Sequence, residues 1–182
     1  MILHRVEEFQ LTAAIHAKIK SLLALSFESY PSYRNFLHQT PNFRYLMLDH
    51  KTLIGHMAVD HRIIQLNGET ISIFGITDLC VHPEYQHQQS ASNMITELES
   101  LAKAHKVEAI MLFTNLFPLY TKLGFEKQAN KCRWLMIQNN VSLGVARRSL
   151  EDCLMVKMLS DKKWSDGEVA VSYTHLTLPT KA

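Results

Sequence analysis

ISIFGITDLCVHPEYQHQQSASNMITELESLAKAH, residues Ile71 to His105, decides how this chain folds. The part from Ile71 to His82 is rich in β-formers and reads as a strand that breaks at Pro83. From Ala91 onward Met94, Ile95, Leu98, Leu101 and Ala102 recur at i, i+3, i+4 spacing, which predicts an amphipathic helix with one face on the sheet. Between strand and helix lies the polar turn Glu84-Tyr85-Gln86-His87-Gln88-Gln89-Ser90-Ala91. Such a turn delivers several backbone N–H groups to a helix N-terminus, where donors are unpaired and the partial charge is positive. A turn of this kind is an anion site, and its place after a buried strand points to phosphate.

Upstream, Asn67-Gly68 is a strong hairpin signal, because both central residues of that turn need positive φ. It joins Leu53–Leu66 to the strand beginning at Thr70, and Asp49-His50-Lys51 joins Leu53–Leu66 to a preceding strand, Phe43–Asp49. Gly75, in mid-strand, suggests a bulge or a close backbone approach. Further back, Met1–Val6 reads as a first strand and Leu11–Ser29 as a helix with Thr12 as N-cap, ended by Pro31. A short helix is expected over Tyr33–His38.

Downstream, the continuous apolar run Ala109–Phe113 predicts a strand buried on both faces. Phe117–Leu123 reads as a short helix stopped by Gly124. Phe125–Ile137 and Cys153–Leu159 read as closing strands, with a turn of helix at Arg147–Glu151 between them. The fold expected is α/β: a mixed, mostly antiparallel sheet of six or seven strands with helices on both faces. One domain is expected over residues 1–160, followed by a tail. Val171–Ala182 resembles a translated sequencing adaptor and is set aside as a non-native extension.

With 182 residues the chain suits one domain, and 47% hydrophobic and 20% charged residues are ordinary for a globular protein. The net charge of +2 argues against a nucleic-acid or membrane partner, and no apolar run approaches the roughly 20 residues of a membrane span. Cys80, Cys132 and Cys153 show no metal spacing, so a reduced, cytoplasmic setting is expected. The pairs His56/His61 and His82/His87 lack helical ligand spacing and read as surface histidines, so no metal is expected.

Gln86-His87-Gln88-Gln89-Ser90-Ala91 resembles the acetyl-CoA signature of the GNAT superfamily of N-acetyltransferases: Gln or Arg, two residues, Gly, one residue, Gly or Ala. Gln86 and Ala91 match its ends, and Gln89 stands at the middle glycine. Leu119-Tyr120-Thr121-Lys122-Leu123-Gly124-Phe125 resembles the family's later Tyr-x-x-x-Gly-Phe segment. The two motifs stand in the family's order, and the resemblance runs from Met1 to Leu159.

The resemblance implies transfer of an acetyl group from acetyl-CoA to a primary amine by direct attack in a ternary complex. By position, Leu79, Cys80 and Val81 would border the cofactor arm, and Gln86, His87, Gln88, Gln89, Ser90 and Ala91 its phosphates. Gln89 would serve with ordinary helical dihedrals. Tyr120 becomes the candidate general acid, since a phenol can protonate a leaving thiolate. The position where some relatives carry a glutamate base is Gly75, which leaves Asp78 as the nearest carboxylate, with a buried hydrogen-bonded role as its alternative. Glu28, Tyr30 and Tyr33 fall where the family's acceptor pocket is bordered. A weaker likeness to the aminoglycoside-acetylating branch implies a small, polyamine-like acceptor, and a homodimer is left open. The competing reading is a degenerate acyl-CoA-binding module without catalysis.

Overall fold

The computed structural model describes residues 1–28, 30, 40–138 and 141–171. Among these, ten strands form one sheet: β1 (Ile2–Glu7), β2 (Phe43–Asp49), β3 (Thr52–Leu66), β4 (Glu69–Val81), β5 (Ala109–Phe113), β6 (Glu126–Lys127), β7 (Lys131–Gln138), β8 (Val141–Ser149), β9 (Leu154–Met158) and β10 (Glu168–Val171). Their order is β6-β9-β5-β4-β3-β10-β7-β8, with β2 on the first half of β3 and β1 on β2. Only β4–β5 and β10–β7 run parallel, so the sheet is mixed and mostly antiparallel, as the sequence predicts, but it has ten described strands in place of the six or seven expected, because β6, β8 and β10 join it.

Helix α1 (Ala13–Ser26) starts where Thr12 accepts the Ile15 N–H at 3.3 Å, which satisfies one of the unpaired first-turn donors. It packs Ile19, Leu22 and Leu23 on Leu46, Leu53 and Cys80. Helix α2 (Ser90–Ala104) covers the other face, where Met94, Ile95, Leu98 and Ala102 join Met57, Val59, Phe74 and Ile110. The spacing read from the sequence is the spacing that is buried. Helix α3 (Phe117–Lys122) ends at Gly124, whose φ of +82° and N–H bond to Thr121 O at 3.0 Å turn the chain into β6.

Four expectations are corrected. Phe125–Ile137 is two strands, β6 on β9 and β7 on β10, because the chain crosses between them at 128–130. Arg147–Glu151 is not helical: β8 pairs with β7 from Val141 to Ser149. The last strand is not Cys153–Leu159, since β10 inserts between β3 and β7 and buries Val169 completely. Polar side chains hold β10: Asn67 Nδ2 donates to the Asp166 carbonyl and Asn130 Nδ2 to Ser165 O and Gly167 O at 3.0 and 3.1 Å. Finally, Gly75 is no bulge. It pairs in register with Asp60 and Met111, and the irregularity falls at Asp78. The expected helix at Tyr33–His38 and most of the adaptor-like tail lie outside the described residues.

Candidate acyl-transfer site

Strands β4 and β5 pair from Ile73↔Ala109 to Ile76↔Leu112 and then part. One residue later β4 bulges: Ala58 faces Thr77 and His56 faces Cys80, so Asp78 and Leu79 together oppose Met57. Asp78 takes φ +52°, a left-handed conformation that side chains disfavour. The bulge therefore sits just beyond the last β4–β5 pair, and among the described residues β4 from 77 to 81 has no ladder partner on its β5 side, which leaves a gap in the ladder.

Beyond Val81 the chain folds into the donor-rich turn. His82 Nδ1 accepts the Glu84 N–H at 3.4 Å, and the Gln86 N–H bonds Pro83 O at 3.3 Å. Gln86 Nε2 donates to Val81 O at 3.2 Å. Gln86 thus braces the turn against β4, and its main-chain N–H is engaged within the turn. His87 and Gln89 both have φ +62°, and the first ladder bond of α2 runs from Asn93 N to Gln89 O at 2.9 Å. The N–H groups of Ser90, Ala91 and Ser92 consequently precede the helix ladder. No acidic residue lies in that first turn, and residues 86–89 are exposed. The donor set suits an anion. The expected helical geometry for Gln89 is corrected: it is the left-handed N-cap, the conformation a glycine adopts without cost. Ser90 itself is only 3% exposed, and its Oγ has no hydrogen-bond partner among the described residues.

On the α1 face of the sheet the structure brings together two residues singled out separately in the sequence. Tyr30 Oη donates to Asp78 Oδ2 at 2.8 Å. Burial and the Asp78 carboxylate push the Tyr30 phenol far above its ordinary range. Asp60, paired with Arg62 at 3.1 Å, is also raised, first by burial and then by the nearby Asp78 charge. Glu28 is exposed on the α1 side, and Tyr33 lies outside the described residues. Cys80 is core against α1, and burial pushes its thiol up to about 12. Its side chain packs in the core, and its backbone continues the β4 edge beyond the bulge.

A buried network of three residues, Glu8, Arg44 and His56, escaped the sequence reading. Arg44 and His56 are both 0% exposed, which corrects the surface assignment of His56. Arg44 bonds Glu8 through Nε at 2.6 Å and Nη2 at 3.1 Å, and its Nη1 lies 2.9 Å from His56 Nε2. His56 Nδ1 lies 2.9 Å from the Asp78 carbonyl oxygen. A guanidinium only donates and a carbonyl only accepts, so His56 is neutral with its proton on Nδ1. Burial, with the Arg44 charge behind it, lowers His56 to about 3. The signal was present in Phe43-Arg44-Tyr45-Leu46, where strand alternation places a charge on a core-facing position. His61 instead stacks edge-on to Phe74, on the opposite face of the sheet.

Tyr120, on α3, is 5% exposed and packs edge-on against Phe125 at 5.7 Å between centroids. Burial pushes its phenol up to about 12. Lys157 Nζ ties α3 to α2, donating to Leu123 O at 2.7 Å and to Glu99 at 2.5 Å.

A sheet whose parallel strands part beside a bulge, followed by a helix that opens on a donor-rich turn, defines an α/β fold with an anion-suited turn at the end of its central strand. Residues 10–128 match the family model described as Acetyltransferase (GNAT) domain, well over half of the chain, and the chain belongs to that family. Among solved structures it is similar to the GNAT family N-acetyltransferase YhbS from Escherichia coli in complex with CoA: 18% identity, TM-score 0.66, 93% of this chain and 88% of that chain. A GNAT family acetyltransferase from Brucella melitensis in complex with acetyl-CoA gives 13% identity, TM-score 0.59, and coverage of 93% and 95%. Eis1 from Mycobacterium abscessus gives 11% identity and TM-score 0.60 over 73% of this chain, which spans 33% of that longer chain. No curated protein sequence matches. At such identities these likenesses speak to the fold. No described helix is long and apolar enough to cross a membrane, and no described group of His, Cys, Asp and Glu is placed to hold a metal ion.

Proposed function

We propose that the chain transfers an acetyl group from acetyl-CoA to a primary amine of a small molecule, by direct attack within a ternary complex. The observation that carries this is the parting of β4 and β5 after Ile76↔Leu112, with the bulge and the donor-rich turn following in one line along β4. Bound there, acetyl-CoA supplies a thioester carbonyl open to attack by a neutral amine.

The chain's own residues divide the work. The first-turn N–H groups of α2 bind the diphosphate, and the positive end of the helix favours it. The edge of β4 at Leu79 and Val81 aligns the extended arm, and in doing so brings the acyl group beside the acceptor. Tyr120 keeps its proton to about pH 12 and is the acid for the leaving thiolate. The Tyr30–Asp78 pair and Asp60 give the α1 side a carboxylate character that draws a cationic amine. The amine sheds its proton to Asp78 or to water. The aminoglycoside-like analogy fits this character, since it expects a polyamine-like acceptor.

The left-handed strain at Gln89 favours the second reading, a binder of acyl-CoA without turnover. Release of thiol from acetyl-CoA over a panel of small amines separates the two. Tyr120→Phe is expected to lower kcat about a hundredfold while CoA affinity is kept. A wild type that binds acetyl-CoA yet releases no thiol with any amine refutes the enzymatic reading.

A further inference from the structure

The peptide joining Asp78 to Leu79 is held from across two strands. Its carbonyl oxygen lies 2.9 Å from His56 Nδ1, the Nε2 of that ring faces Arg44 at 2.9 Å, and Arg44 is gripped twice by Glu8. The chain of contacts runs from the turn before α1, through β2 and β3, to the bulge on β4. Every member between Glu8 and the bulge is wholly buried. Burying a guanidinium and an imidazole is costly unless each polar atom is matched, and here the matching fixes a single tautomer.

In a planar trans peptide the C=O of one residue and the N–H of the next point in opposite directions. Fixing the Asp78 oxygen on His56, which stands on β3, therefore turns the Leu79 N–H away from β3. That is the side from which β5 has parted. Asp78 has φ +52°, a left-handed conformation that a side chain holds where its surroundings enforce it. Without the His56 bond the bulge can relax toward ordinary strand geometry, which swings the Leu79 N–H out of the gap.

We propose that His56, backed by Arg44 and Glu8, is a positioning residue for acyl transfer: it locks the Asp78–Leu79 peptide so that the Leu79 N–H faces the gap between β4 and β5. This rests on the acetyltransferase reading, because an N–H fixed there polarises an acyl carbonyl lying in the gap. His56 touches no reacting atom. Its effect is to pre-set a donor, so it acts on kcat more than on cofactor binding, which depends chiefly on the turn at α2.

The test uses the full chain with His56→Leu, which removes the donor at similar volume, and His56→Asn, whose Nδ2 replaces Nδ1. Steady-state kinetics, CoA binding by calorimetry and the 1H–15N resonance of Leu79 are measured for each. His56→Leu is expected to lose about tenfold to a hundredfold in kcat, to shift the Leu79 resonance, and to keep CoA affinity within about threefold. His56→Asn recovers most of that kcat. Wild-type kcat in His56→Leu, or equal losses in both variants, overturns the proposal. Should His56→Leu fail to fold, Glu8→Gln loosens the same grip from its outer end, and an unchanged kcat there overturns it too. A wild type without turnover counts against the acetyltransferase reading alone; the Leu79 resonance then decides, and an unmoved resonance overturns the positioning role.

Discussion

Ser90→Ala is expected to make this protein more stable. Ser90 opens α2 and is 3% exposed, and its Oγ is buried without a partner among the described residues. An unsatisfied buried hydroxyl costs about 1–3 kcal/mol. Alanine keeps the Cβ and removes one atom, leaving a void of roughly 15 Å³ that costs about 0.4 kcal/mol at the cavity rate. The balance is a gain of about 1 kcal/mol, which for a chain of this size raises Tm by about 2–4 °C. Thermal and urea unfolding of the full chain read it directly. The same substitution leaves the main-chain N–H of residue 90 in place, so CoA affinity should change less than twofold. A loss of more than about 0.5 kcal/mol would falsify the reasoning, because it would mean that Oγ makes a bond this packing does not provide.

Gln89→Gly relieves a left-handed residue worth about 1–2 kcal/mol and adds about 0.4–1 kcal/mol of unfolded-state entropy, so it should stabilise slightly. Gln89→Val should instead destabilise, and the opposite ranking in unfolding experiments would contradict the geometry of the turn. Stability should fall as pH drops from about 6.5 toward 3: the unfolded chain takes up a proton on His56 while the folded pKa stays near 3. His56→Leu should flatten that limb, and a slope unchanged between the two proteins counts against it. At the alkaline end Cys80, Tyr45 and Tyr120 are each raised to about 12 by burial, so the stability they support is complete below pH 9 and is lost as pH climbs toward 12. A stability profile level through pH 11 would contradict their burial. Ending the chain at residue 160 removes β10 and should lower Tm sharply relative to ending it at 171, since Val169 is fully buried between β3 and β7.

The frame of the fold was legible because its signals are local. Thr12, Asn67-Gly68, the helical spacing from Met94 to Ala102 and the apolar run at 109–113 each specify an element within a few residues. What was missed depends on partners far along the chain. β10 falls in a stretch read as tail until Asn67 and Asn130 are seen to hold it, and β8 looks irregular because it is an edge strand exposed along its length. Gly75 drew the bulge to itself by residue type, whereas the bulge falls on Asp78, just beyond the last β4–β5 pair. The site divided in the same way. The turn and Tyr120 announce themselves as motifs, while Glu8, Arg44 and His56 form one network only after three elements meet.

The central claim is that the gap and the turn beyond it receive acetyl-CoA, and thermal unfolding of the full chain with and without the ligand tests it most directly. At a hundredfold over its dissociation constant the ligand adds about 2.7 kcal/mol, an upward shift of about 5–10 °C for a chain of this length. That shift is the predicted result. An unmoved midpoint at millimolar acetyl-CoA, in protein shown to be folded, would contradict the account.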